Sequence, residues 1–310
     1  MNMKRVLLCF TAGVALQTGI YIYLDQVLFA TTADYAVSNI QKEKKAETET
    51  AGRDAFEDVR ITGKAYYSYD NHYMADVSER SVTIYDADNL RNPQCVDLKG
   101  NGVSFFEWIP DRNLALMALY PADWKGGKWN VTLARYNPEG SGNESDAPIE
   151  DLPRDSKITA VAYSPATNAV YMKMQVRGGL YRIYRTDANY DTRRIYVQTS
   201  HVGTIAVFYD EDRFFYDDTE DNLIYLYNDE TGGWRTISPP GDYRLVGVTR
   251  DKTLYAARLN AAGLAVEFYK GKLGVGFESV GAPSAPVEFD TVTMHWMDEM
   301  EESRKNAGNI

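Results

Sequence analysis

The chain has 310 residues, 44% of them hydrophobic and 25% charged, enough apolar material for one large domain or two small ones, which excludes a globally disordered protein. With 23 glycines, 11 prolines and two cysteines it has neither a collagen-like bias nor a disulfide framework. A formal charge of -11 repels a phosphate backbone, and no basic patch offsets it, so nucleic acid is not an expected partner.

The first predicted element is a membrane segment. After Lys4 and Arg5, residues 6–24 run without a charge until Asp25. At 1.5 Å per residue this run reaches roughly 28 Å, close to the roughly 30 Å of a bilayer's hydrocarbon layer. Tyr21 and Tyr23 stand at its far end, where aromatic rings favour the interface, and the two basic residues hold the N-terminus in the cytoplasm. Residues 1–25 are therefore expected to be a single-pass signal-anchor in the cytoplasmic membrane, with the rest of the chain outside. A cleaved signal peptide is the competing reading, with imperfect sites at Leu28-Phe29-Ala30 and Thr31-Thr32-Ala33. Residues 26–58 form a stalk: positions 41–58 carry ten charges of both signs, too little apolar content for a core and no heptads for a coiled coil.

From residue 59 to 296 the chain repeats. Five strand-like segments end in tyrosine: Ser81-Val-Thr-Ile-Tyr85, Asn130 to Tyr136, Leu180-Tyr-Arg-Ile-Tyr184, Leu223-Ile-Tyr-Leu-Tyr227 and Leu264 to Tyr269, each followed by a polar turn. The tyrosines are 51, 48, 43 and 42 residues apart. Two further strands precede each tyrosine strand, as in Phe105 to Leu116 and Ala160 to Tyr171, and a fourth short run closes each unit. Recurrence of Tyr85, Tyr136, Tyr184, Tyr227 and Tyr269 at one strand position predicts a repeated packing environment. The run Val287 to Trp296 alternates apolar and polar residues and predicts one more strand, sealing a ring or opening a sixth unit. Residues 297–310 are expected to be a polar tail or short helix.

Four short strands in a unit of 40 to 50 residues match one propeller blade. Tyr163-Ser-Pro and Trp108-Ile-Pro-Asp-Arg-Asn resemble degenerate forms of the turn found in WD40-like and TolB-like blades. The resemblance covers roughly residues 60 to 295 and implies an all-β fold, a β-propeller of about five four-stranded blades. The Gly-His and Trp-Asp pair that defines true WD40 repeats is missing from the blades, and kelch double-glycine signatures do not recur blade by blade.

Catalytic patterns are sparse. His72, His201 and His295 are scattered outside any zinc spacing, and neither a phosphate-binding glycine loop nor a Gly-x-Ser-x-Gly elbow occurs. Cys95, the one cysteine outside the anchor, is expected to be a small buried hydrophobe. The long loop Tyr120 to Trp129 offers Trp124, Lys125, Lys128 and Trp129 as a stacking or docking surface. His201 and Tyr243 lie on or beside links between units and join it as binding candidates. Asp217, Asp218, Glu220 and Asp221 form the densest acidic group, the residues for calcium if it binds. The expected function is a membrane-anchored extracytoplasmic scaffold that binds a protein partner in an envelope assembly or sensing complex, without catalytic residues or an obligate cofactor. The alternative is a carbohydrate-active enzyme or lectin using the acidic and aromatic loops.

Overall fold

The computed structural model describes residues 53–307 except Ser141, Tyr190 and Glu230, together with Gln17. Apart from Gln17, the expected anchor and the stalk before residue 53 lie outside the described residues. No helix among the described residues is long and apolar enough to cross a membrane.

Five antiparallel sheets follow in chain order. Blade one holds β1 (Lys64–Tyr67), β2 (Tyr73–Val77), β3 (Val82–Asp86) and β4 (Gln94–Cys95). Blade two holds β5 (Gly102–Trp108), β6 (Ala115–Tyr120), β7 (Trp129–Asn137) and β8 (Gly142–Leu152). Blade three holds β9 (Lys157–Ser164), β10 (Ala169–Gln175), β11 (Tyr181–Thr186) and β12 (Thr192–Ile195). Blade four holds β13 (Val202–Val207), β14 (Arg213–Asp218), β15 (Ile224–Asn228) and β16 (Gly233–Thr236). Blade five holds β17 (Tyr243–Val248), β18 (Leu254–Leu259), β19 (Leu264–Lys272) and β20 (Gly276–Gly281), with the two-residue β21 (Val287–Glu288) added beside β19. A helix, α1 (Met294–Ala307), ends the described chain.

Burial follows position across each sheet. The second strands are buried almost throughout, all six residues in β6 and five of six in β14, because each has a strand on either side and a neighbouring sheet over its faces. Hence their near-continuous apolar runs. The outermost strands β4 and β16 are exposed along their length. That placement corrects the expectation for Cys95, which is exposed on β4: an edge strand has no partner on its outer side, and two residues are too short to draw a covering element.

Four apolar clusters each join successive blades. Tyr73, Val82 and Ile84 of blade one meet Phe106, Trp108 and Met117 of blade two. Leu116 and Val131 meet Ile158 and Met172; Tyr171 and Ile183 meet Phe214 and Tyr216; Phe215 and Leu226 meet Leu245 and Ala256. The Tyr171 and Phe214 rings stack 4.3 Å apart. Four of the recurring tyrosines, Tyr136, Tyr184, Tyr227 and Tyr269, sit in or against these inter-blade clusters, the repeated environment that their recurrence predicts.

The fifth cluster differs. The face of blade five turned away from blade four, with Tyr255, Phe268 and Val280, packs on Met297 of α1, which is fully buried. The strand expected over residues 287–296 therefore exists only as β21, paired to Leu264 and Ala265, and a 3-10 turn and α1 follow. The alternation that suggests a strand competes with a helical spacing, Met294, Met297 and Met300, all packed against blade five, and the three-residue period prevails. The tail's charges also take part. The Tyr255 hydroxyl donates to Asp298 at 2.8 Å, and Lys270 pairs with both Asp298 and Glu301. On blade one, Phe56 is buried with its ring 6.0 Å from Tyr67.

Candidate functional site at the link end

Strand parity sets the site. Each blade has four strands in chain order, so the chain leaves a blade at the end where it entered. Links between blades and turns between second and third strands therefore share one end, the link end. First-to-second and third-to-fourth turns share the opposite, hairpin end. First strands of successive blades adjoin one another, which places the links nearest the centre. By this rule the expected binding loop Tyr120 to Trp129, His201 and Tyr243 all belong to the link end.

At its centre three blades meet through Glu79, Tyr120 and Lys157. The Tyr120 hydroxyl donates to Glu79, while Lys157 Nζ lies 3.5 Å from the same carboxylate and 3.8 Å from the Tyr120 ring centroid. The Tyr120 hydroxyl and Lys157 hold the Glu79 carboxyl below its usual range. Burial alone would lower the Lys157 ammonium, but Tyr120 and Glu79 outweigh it and push it up. A cavity of about 370 Å³ opens here, lined by Tyr66, Glu79, Ser104, Phe105, Lys157 and Thr159 among others. Lys157 also lines a second, larger groove of about 790 Å³ between the link Pro153 to Lys157 and the turn at Arg177–Gly179.

The expected binding residues separate by burial. Trp124 is half-buried, 6.1 Å from Trp129, with the Arg154 guanidinium 4.8 Å above its ring. Trp129 begins β7, is buried, and donates its indole N–H to the Ser156 carbonyl at 2.9 Å. It therefore fixes the link beside the groove and offers no free face. Lys128 pairs with Asp151 at 3.0 Å, and Lys125 is exposed. His201 Nδ1 lies 2.8 Å from Glu220. Tyr243 is buried against Tyr269, 5.3 Å away, and serves packing between strands of blade five and its neighbour.

The acidic group has structural partners. Asp217 is wholly buried between blades four and five, where its Oδ2 accepts from Arg244 Nε at 2.5 Å and from the Leu245 amide at 3.0 Å. Burial pushes its carboxyl up even with Arg244 beside it. Asp218, also buried, accepts from the Glu220 amide at 2.8 Å, and Glu220 turns to His201. Asp217, Asp218 and Glu220 thus each turn to a different partner, and Asp221 is exposed. Among the described residues the His/Asp/Glu triple whose ligand atoms lie within 4.8 Å of one another is His72, Asp86 and Asp88, at the hairpin end. There the His72 Nε2 lies 3.4 Å from Asp86 and 4.0 Å from Asp88. Sequence spacing alone gave no sign of it, because His72 and the two acids come from different turns.

No protein-family model matches this sequence, and no curated protein matches it. Among solved structures the chain is similar to Porphyromonas gingivalis dipeptidyl peptidase 4, with TM-score 0.50 and 13% identity, over 72% of this chain and 39% of that one. It is also similar to TolB from Acinetobacter baumannii, with TM-score 0.44 and 17% identity, over 74% of this chain and 55% of that one. The chain spans about two fifths of the length of the peptidase it matches. Five four-stranded antiparallel meanders in succession decide the architecture. The fold is β-propeller-like. At this identity the likeness extends to the fold alone.

Proposed function

We propose that this chain is a membrane-anchored, extracytoplasmic β-propeller that binds a protein partner through its link end. The observation that carries the reading is the groove of about 790 Å³ at that end. Beside it stand Arg154, stacked on Trp124, and the exposed Arg177, with Lys125 on the neighbouring turn. None of the ion pairs among the described residues involves Lys125 or Arg177. Both side chains are exposed, and arginine is enriched where proteins dock. A row of packed sheets holding variable turns at one end suits docking, since ordering cost is low.

The test is extraction of the full chain from its native membrane in mild detergent, with mass spectrometry and stoichiometry of what co-purifies. The reading expects a near-equimolar partner, retained by Arg250→Glu at the hairpin end and lost in Trp124→Ala/Arg177→Ala. A partner retained by the link-end variant, or no partner in membranes containing the native chain, contradicts it.

A further inference from the structure

We infer that the surface docked in the link-end groove is an acidic, Asp/Glu-rich stretch of polypeptide; the inference rests on the partner-binding reading above. The groove runs against the charge of the molecule. In a chain of net charge -11, its lining contributes Arg154, Lys157 and Arg177 against a single carboxylate, Asp155. Asp155 makes one contact, 3.6 Å from Arg154 Nε, so the terminal nitrogens of that guanidinium keep their capacity for a paired carboxylate. Trp124, 4.8 Å beneath Arg154, holds the guanidinium plane in place, which reduces the ordering needed on binding. Lys157 is tethered at the inner end by Glu79 and Tyr120.

The shape argues for a chain over a small anion. A volume of about 790 Å³ is many times the roughly 30 Å³ that one water occupies, so a lone phosphate would leave most of it wet. The outer lip is Gly178 and Gly179, with φ of 84° and 75°. A Cβ built on either meets nothing within 4 Å, so no side chain blocks the approach of another backbone. Val176 and Pro153 give the floor apolar ground for the stems of an extended segment.

The experiment uses the full chain in detergent and two fluorescein-labelled peptides, a Glu-rich twelve-residue peptide and its Gln-for-Glu counterpart, at about 20 mM salt. The expected result is saturable anisotropy change with the Glu peptide, weakened at least about tenfold by about 200 mM salt. A drop of similar size is expected in Arg154→Glu/Arg177→Glu, no change in Arg250→Glu, and no binding of the Gln peptide. No saturable binding of the Glu peptide, equal binding of the Gln peptide, or binding untouched by the charge reversals overturns the inference. So does displacement of the peptide by millimolar inorganic phosphate, which would make the groove a small-anion site. If the native partner is lost in Trp124→Ala but retained in Arg154→Glu/Arg177→Glu, the partner-binding reading stands and the acidic segment falls.

Discussion

Removing the Asp217 carboxylate tests how blades four and five are joined. Its Oδ2 accepts from Arg244 at 2.5 Å and from the Leu245 amide at 3.0 Å, and the side chain is inaccessible to solvent while Arg244 is about 15% exposed. Asp217→Ala therefore strands a mostly buried guanidinium and a backbone donor together. Breaking a buried pair from one side costs about 3–5 kcal/mol. In a domain of this size, where 1 kcal/mol moves Tm by about 2–4 °C, the midpoint should fall by about 6–20 °C. Thermal unfolding followed by tryptophan fluorescence measures it, with and without calcium. The double variant Asp217→Ala/Arg244→Ala should lose less than the sum of the singles, since the second change removes the stranded charge. A loss below about 1 kcal/mol, the range of surface pairs, refutes the assignment, as does strict additivity. A loss reproduced by removing calcium from the unaltered protein would return Asp217 to the metal.

Other expectations follow from the same geometry. Met297→Ala opens a cavity where α1 covers blade five and should cost about 2–5 kcal/mol; a change near zero in thermal melts would mean that α1 does not cap the blade. Gly63→Ala places a Cβ 2.1 Å from the Val77 carbonyl oxygen and should unfold more readily in urea than the parent, whereas unchanged stability would rule out that close approach. Burial pushes the Asp76 carboxyl up, but the Thr62 and Gly63 amides and the Thr62 hydroxyl outweigh it and hold it below its usual 3.8. Its stabilisation is thus complete above about pH 4 and lost as pH falls through the folded value. Asp76→Asn should flatten the acid limb of stability against pH, and an unaltered limb would count against the assignment. Cys95, exposed on β4, should react with maleimide in the folded Cys9→Ser protein as fast as in urea; strong protection would restore the buried reading.

The blades were legible because the same physical demand recurs in each. Second strands buried on both faces become apolar runs, and in four of the five third strands the recurring tyrosine meets the neighbouring sheet, so repetition of environment appears as repetition of letters. The end of the chain was not legible in this way. Residues 287–296 satisfy a two-residue and a three-residue period together, and only the waiting face of Phe268 and Val280 selects the helix. Cys95 misled because composition ranks cysteine as buried without knowing which strand is outermost.

The site was partly legible. Loop length drew attention to Trp124, whose ring lies under the groove's Arg154, and to the exposed Lys125 next to it, but Trp129 five residues on could not be told from Trp124 until its indole found Ser156. Arg154, Lys157 and Arg177 passed unnoticed as isolated charges in short links. They meet because the link into blade three and that blade's own second turn open at the same end, a consequence of four strands per blade. Counting strand parity on the repeat would have exposed them. The acid-rich run around Asp217 suggested a metal by its density, and density does not show that Asp217 turns to Arg244 or that Glu220 turns to His201.

The central claim is that the link end, and not the hairpin end, meets the partner. Its most direct test is a photoreactive amino acid placed singly at Lys125 or Arg177, and in parallel at Asp187 or Arg250, in the full chain expressed in its native cells. Irradiation followed by mass spectrometry of the products reads the contact. The account predicts one reproducible protein product from Lys125 and Arg177 and none from Asp187 or Arg250. A product formed only from Asp187 or Arg250, or the same product from both ends, contradicts it.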